Sequence, residues 1–377
     1  MMTLEEARAR AWLEVDEDGL IANCREAQSL CRPETVLIAV LKADAYGYGA
    51  VETARLLKEI GVSHFSVACA AEGMELLNAD PDSWVLNMGV TAPCELEAAI
   101  RAGLRLTAAD GEELKRISAC AAALKKRAVV HVKMDTGLHR LGFSGAEEAL
   151  PFLELPWIDY EGLYSHMALR GPEQCVRQHE MFDGIARDLA RAGHSFPIVH
   201  LLDSIGLTRY PLWQYNGVRI GAFLYGNVPP DYVGFSRRRA VGRFCARVTA
   251  VREVRAGDAV GYDEEPLPRD TRVATLSVGY VDGYPRVLSG VGEVEIRGVR
   301  ARSLGLVCMD QMMVDVTGHP EIIPGDTAVL LGDGVSLNEF GAWGHLNRNE
   351  VSALIGRRVP RIYLRNGEVR AVKSRRG

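Results

Sequence analysis

Lys42 stands directly after an apolar run, in Val40-Leu41-Lys42-Ala43-Asp44-Ala45-Tyr46-Gly47-Tyr48-Gly49. At the rim of an apolar interior the ammonium form is disfavoured, and the neutral amine is a nucleophile toward aldehydes. A lone lysine in this setting more often reaches out to water. Two further runs shift the balance: His200-Leu201-Leu202-Asp203-Ser204-Ile205-Gly206 and Gly217-Val218-Arg219-Ile220-Gly221-Ala222. Their glycine-opened backbone, the Ser204 hydroxyl and the Tyr46 hydroxyl make a cradle suited to a phosphate. An amine beside a phosphate cradle points to pyridoxal 5′-phosphate (PLP) as cofactor.

Other candidates are weaker one by one. Lys133-Met134-Asp135-Thr136-Gly137-Leu138-His139-Arg140 offers Arg140, and Tyr164-Ser165-His166 offers His166, for substrate or cofactor contacts. A lone histidine is more often a satisfied core residue. Two later clusters stand out, Ser277-Val278-Gly279-Tyr280-Val281-Asp282-Gly283-Tyr284-Pro285-Arg286 and Gly305-Leu306-Val307-Cys308-Met309-Asp310-Gln311. Tyr280 reads equally as a presented side chain and as a turn aromatic packed on Pro285. The nine histidines show no metal-ligand spacing, so no metal site is expected. P-loop, dinucleotide and nucleophile-elbow patterns are missing too.

These residues need a scaffold that gathers strand ends. Short apolar runs at 35–41, 64–68, 84–88, 104–107, 129–134, 161–165, 198–202 and 218–223 read as buried strands. Stretches of helical spacing lie between them, at 50–60, 72–78, 95–101, 111–125, 146–153 and 172–192. Eight such units favour an α/β fold in which a parallel sheet closes into a (β/α)8 TIM barrel. Chemistry then sits at the C-terminal strand ends, where Lys42, Arg140, His166, Ser204 and Arg219 all fall. Val228-Pro229-Pro230-Asp231 and Arg237-Arg238-Arg239 read as a linker. Beyond it the alternation becomes that of a mostly β domain, with strands at 244–254, 271–278, 291–297, 312–316, 327–331 and 360–364 and a helical interruption at 337–356. The division expected is a barrel over 1–240 and a β domain over 241–377. The run 11–15 reads equally as part of the β domain and as a lead into the barrel.

Length agrees, because 377 residues exceed the roughly 250 of a barrel by enough for a second domain. A hydrophobic content of 47% with 25% charged residues excludes a disordered or coiled-coil chain. The net charge of −5 gives no reason to expect nucleic acid or an anionic membrane as partner. The basic tail Lys373, Arg375, Arg376 reads as a solvated terminus. No apolar run approaches the roughly 18 residues of a membrane span, and the start lacks a signal-peptide pattern. Eight scattered cysteines without a C-x-x-C pair suit the reduced thiols of a cytoplasmic protein.

Seven segments, VLKADAYGYG (40–49), VKMDTGLHRLGF (132–143), GLYSH (162–166), VRIGAFLYG (218–226), SVGYVDGYPR (277–286), LVCMDQMMVDV (306–316) and RVPRIY (358–363), carry a resemblance across nearly the whole chain. The sequence resembles the alanine racemase family, fold-type III PLP enzymes with an N-terminal barrel and a C-terminal β domain. The resemblance implies interconversion of L- and D-alanine, supplying cell-wall peptidoglycan, by a head-to-tail homodimer with composite sites. Lys42 would hold the cofactor and act as base on the D face. Tyr280 of the other subunit would act on the L face, as a two-base reaction requires. Arg219 would donate to the pyridine nitrogen, and His166 would lie against the ring and link Tyr280 to Arg219. Tyr46, Ser204 and the backbone of Gly221 and Ala222 would hold the phosphate. Arg140 and the backbone N–H of Met309 would meet the substrate carboxylate. Lys133 matches a lysine that is carbamylated in many members, an anionic neighbour for Arg140. Two positions depart from the family pattern. Arg357 replaces a tyrosine and would give the phosphate a charge-assisted contact, and Asp203 replaces an asparagine. Both leave serine or another small amino acid open as substrate. A decarboxylase of the same fold type is disfavoured by the Tyr280 cluster and the short chain, and a non-catalytic PLP-binding barrel by the β domain.

Overall fold

The computed structural model describes residues 2–229, 232, 234–235, 239–263 and 265–374. Pro230, Asp231, Arg237 and Arg238 of the expected linker, and Arg375 and Arg376 of the basic tail, lie outside the described residues.

Eight strands form one parallel sheet: Val36–Val40, His64–Val67, Trp84–Asn87, Leu106–Ala108, Ala128–Lys133, Ile158–Tyr164, Ile198–His200 and Gly217–Ile220. The first strand pairs with both the second and the last. The ring closes between the third and fourth strands through a bridge from Leu86 to Arg105. There Arg105 N donates to Val85 O and Asn87 N to Arg105 O, both at 2.9 Å. The expected barrel is therefore present, with strand ends shifted by at most three residues. Helices such as Ala50–Glu59, Gly111–Leu124 and Pro172–Arg191 cover the outside. Each places one apolar stripe on the sheet, as Leu114, Ile117 and Ala121 do.

A nine-stranded sheet makes the second layer of structure. Its order is Thr271–Leu276, Met312–Asp315, Val299–Leu304, Glu293–Ile296, Thr327–Leu331, Gly242–Val254, Ala11–Asp16, Arg361–Arg365, Glu368–Lys373. The run left open in the sequence thus belongs here. Ala11–Asp16 lies antiparallel to Gly242–Val254 and parallel to Arg361–Arg365. Its alternation explains the placement: Leu13 and Val15 enter the main core, while Trp12 packs with Cys245, Val329 and Ile362 on the other face. Among the elements not expected from sequence are the helices Glu17–Ser29 and Ser204–Arg209 and the strands Val299–Leu304 and Glu368–Lys373. The stretch 337–356 is two helices, Leu337–Gly344 and Arg348–Ala353, with His345 left-handed between them. Among the described residues no helix is long and apolar enough to cross a membrane.

Candidate active site

Just past the first barrel strand, Lys42 opens an unusual turn. Ala43, Asp44, Ala45 and Tyr46 all have φ between 52° and 56°, and Gly47 follows at 92°. Left-handed backbone costs about 1–2 kcal/mol for each non-glycine residue, so something must hold this turn. Glu72 does so on one side, accepting from Ala43 N (2.7 Å) and Ala68 N (2.9 Å). Asp44 accepts from Ala50 N (2.7 Å). The β domain holds the other side: Arg361 Nε donates to Gly47 O (3.0 Å) and Tyr363 Oη to Tyr48 O (2.9 Å). The approach is so close that a Cβ on Gly47 would lie 2.1 Å from Ser352 O. Burial, with Arg140 nearby, pulls the Lys42 amine below the ordinary lysine range.

The turn borders a cavity of about 410 Å³ at the C-terminal ends of the strands. Four basic side chains line it, Lys42, Lys133, Arg140 and Arg219, against one carboxyl, Asp203. Arg219 is buried and fixed by five contacts. Nη1 donates to His200 Nδ1 (2.7 Å) and His200 O (3.2 Å). Nη2 donates to Ser165 O (2.8 Å), Leu201 O (2.9 Å) and His166 Nδ1 (3.2 Å). Since a guanidinium only donates, His166 must accept at Nδ1 and carry its proton on Nε2. Burial, then the Arg219 charge, holds His166 well below the usual histidine range, so it is neutral. Burial also lowers Arg219 to about 10, which leaves it charged at neutral pH.

The same cavity holds the residues of the cradle expected from sequence. Ser204 Oγ accepts from Gly221 N (3.0 Å) and Phe223 N (3.4 Å), which leaves its own proton to donate. Tyr46 and Ala222 line the same wall. Burial pushes the Tyr46 phenol up to about 12, so it stays a donor. Asp203 caps the short helix Ser204–Arg209, accepting from Gly206 N (2.8 Å), and burial raises its carboxyl. Arg140 is exposed at the mouth and makes no hydrogen bond among those described.

Lys133 is a second buried cation of the cavity. Its Nζ donates to Met134 O (2.6 Å) and Leu141 O (3.4 Å), and burial lowers its pKa to about 7. An unfolded lysine keeps its proton up to about 10.5, so over this window the unfolded chain binds more protons and stability rises with pH. Lys133→Met is therefore expected to gain a few degrees in thermal midpoint relative to the parent as the pH falls from about 9 to about 6. Calorimetry of the cofactor-free protein at both pH values checks this.

Three expected site residues lie on the β domain. Tyr280 is 41% exposed and Met309 52% exposed, and neither lines the cavity of its own chain. The two are held side by side. Tyr280 N donates to Cys308 O (3.1 Å) and Val281 N to Met309 O (3.2 Å). Beneath them Arg358 clamps Asp282 (2.6 and 2.9 Å) and Asp310 (2.6 Å). Arg357, expected at the phosphate, is exposed and is not a lining residue. Its neighbour Arg358 does not line the cavity either, and Asn349 is the β-domain residue that reaches the cavity wall. Asn349 carried no sequence signal. The Asp282–Arg358 clamp had one, in the acidic residue of VDGYPR and the first arginine of RVPR.

A closed parallel barrel with a lysine of lowered pKa at one strand end, a buried arginine in the cavity and a β domain reaching the rim has the architecture of a barrel enzyme. Sequence profiles of the alanine racemase N-terminal and C-terminal domains match residues 15–229 and 241–363. Alanine racemase from Desulforamulus reducens is 33% identical over 364 residues, covering 94% of this chain and 98% of its own. The Synechocystis enzyme of the same name is 34% identical, covering 86% and 90%. The solved alanine racemase of Clostridium difficile superposes with a TM-score of 0.94 at 30% identity, over 98% of this chain and 99% of that one. The Bacillus anthracis alanine racemase with bound L-Ala-P gives 0.91 at 26% identity, over 97% and 98%. The chain belongs to the alanine racemase family.

Proposed function

We propose that this chain interconverts L- and D-alanine with PLP, in a homodimer whose sites are completed by the second copy. The observation that carries the reading is that Lys42, Arg140, Arg219 and the Tyr46–Ser204–Gly221 cradle share one cation-rich cavity.

The cavity fits the cofactor. Its surplus of positive charge suits a phosphate, and its volume suits a ligand of that size. Glycine at 221 is needed, because a Cβ there would lie 2.6 Å from the Tyr46 hydroxyl. Lys42 would hold the cofactor. Tyr46, Ser204, Gly221 and Ala222 would hold its phosphate, His166 its ring face, and Arg219 its ring nitrogen. When bound, PLP supplies an electron-accepting ring that makes the Cα–H of the substrate acidic. The chain supplies the rest. Arg140 at the mouth receives the substrate carboxylate. Lys42, its amine already inclined to neutrality, takes or returns the Cα proton on one face. The other face needs a second base, and Tyr280, presented outward from the β domain, is the group of a second copy that would provide it. The Met309 N–H beside it would join Arg140 at the carboxylate. Neutral Lys133 would add through Nζ to the carbon of carbon dioxide and release one proton to solvent, and the resulting carbamate would be an anionic neighbour for Arg140. The division into a barrel over 1–240 and a β domain over 241–377 is kept in this reading, with Ala11–Asp16 serving the second. Eight free thiols agree with a cytoplasmic enzyme that supplies D-alanine for the cell wall.

Incubation with L-alanine, and separately with L-serine, in heavy water tests the proposal. D-alanine carrying deuterium at Cα is expected, with serine turned over far more slowly. Absence of both inversion and exchange with alanine overturns it. Gly221→Ala, which pushes the Tyr46 hydroxyl aside, is expected to weaken PLP binding by about tenfold, or about 1.4 kcal/mol, read by absorbance titration of the folded variant.

A further inference from the structure

Barrel interiors are ordinarily filled by Val, Ile and Leu, yet beneath Arg219 this one holds two fully buried histidines, His131 and His200. Their hydrogen bonds run in one direction only. Arg219 Nη1 donates to His200 Nδ1 at 2.7 Å, so that nitrogen bears no proton and His200 carries it on Nε2. His200 Nε2 faces His131 Nδ1 at 2.9 Å and donates to it. His131 therefore also carries its proton on Nε2, which points to Glu161 Oε2 at 3.0 Å. The chain runs from a cation to an anion through two neutral rings whose tautomers are fixed by their neighbours. A second proton on either ring would set a donor against a donor.

The backbone is shaped for this chain. In the pairing of Ala128–Lys133 with Ile158–Tyr164, Val130 faces Tyr160 but His131 faces Gly162, so Glu161 is an extra residue in a β-bulge. Bulges re-aim the side chain they carry. Gly162 leaves room for the ring, since a Cβ there would lie 2.1 Å from His131 Nδ1. Glu161 is held by two further donors, Arg105 Nε (3.2 Å) and Trp84 Nε1 (3.3 Å). The ionisable groups around the two rings are Arg219, Lys133 and Tyr164 toward the cavity and His64, Arg105 and Glu161 on the other side.

We propose that Glu161 and His131 are positioning residues for Arg219, acting through His200 to fix which guanidinium N–H groups are engaged and so which one, Nε, is left for the cavity. The proposal rests on the reading of the cavity given above only for what Nε meets there. The chain itself is a property of the protein alone, and its members polarise one another when all are in place.

Imidazole 15N NMR on the full chain, without and with PLP, tests it. Both rings are expected as neutral Nε2–H tautomers across about pH 6 to 8. Glu161→Leu removes the terminal acceptor and is expected to mix the tautomers at His131 and, one bond further, at His200. Glu161→Gln keeps an acceptor and is expected to keep both tautomers. In the loaded enzyme Glu161→Leu is expected to lower kcat by about tenfold with KM within about twofold, and Glu161→Gln to recover most of the loss. Should Glu161→Leu fail to fold, Gly162→Ala fills the ring space without removing a polar atom and is expected to perturb the same resonances. An Nδ1–H tautomer at either ring of the parent overturns the proposal. So do unchanged resonances in a folded Glu161→Leu or Gly162→Ala protein. Loss of PLP binding or racemisation by the parent would strike the functional reading instead, and leaves the tautomer result standing.

Discussion

Lys42→Ala is expected to reduce racemisation of alanine by about 10³-fold or more, because in the proposed reaction one side chain would both hold the cofactor and move a proton at Cα. The loss should be chemical rather than structural. The turn after Lys42 is held by Glu72, Asp44, Arg361 and Tyr363, none of which bonds through the lysine amine. The folded variant should therefore keep the parent's circular dichroism and melting curve, while chiral chromatography finds almost no D-alanine. A small primary amine added to the variant is expected to restore part of the rate, since the vacated space opens on the cavity. A variant that racemises within tenfold of the parent would remove Lys42 from the mechanism.

Tyr280→Phe is expected to separate two reactions that the parent couples. In heavy water D-alanine should still exchange its Cα hydrogen, served by Lys42, while L-alanine neither exchanges nor inverts. Loss of a single acid–base group accounts for about 10²–10⁴ of the rate. The exposed position of Tyr280 gives a second test. If two copies pair head to tail, re-pairing Lys42→Ala chains with Tyr280→Phe chains makes about half of the dimers mixed, each with one whole site. About a quarter of the parental activity should then return. A base acting within its own chain returns none, and that result would place Tyr280 with its own Lys42.

The barrel was legible because its strands are short apolar runs between helices of clear period, and every one of the eight lies where the pattern put it. The lysine, the floor arginine and the cradle were legible for a related reason: strand ends in a barrel converge, so Lys42, Ser204, Gly221 and Arg219 meet without any contact information. Other features depend on pairing rather than pattern. Ala11–Asp16 belongs to the β sheet because Gly242–Val254 and Arg361–Arg365 flank it, and those partners lie more than two hundred residues away in sequence. The strands Val299–Leu304 and Glu368–Lys373 were hidden by charged residues at alternate positions, which suit an exposed face. Arg357 shows the limit of reading by position. It occupies the expected place in the sequence, yet its side chain is exposed, and Asn349, from a helix without any marked motif, takes the wall. Nor does sequence spacing disclose a bulge, so Glu161 and its histidines stayed out of sight.

The left-handed turn after Lys42 also sets an order of events during synthesis. Its supports on Gly47 and Tyr48 come from residues 314 and 315 positions later in the chain. A ribosome that has released only the barrel has made every lining residue except Asn349, but the lysine loop, in its costly conformation, then lacks these supports. Glu72 and Asp44 can hold the turn from the barrel side alone, but its second set of supports arrives only with Arg361 and Tyr363. The chain must therefore be made almost to its end before the segment that carries Lys42 is held on both sides.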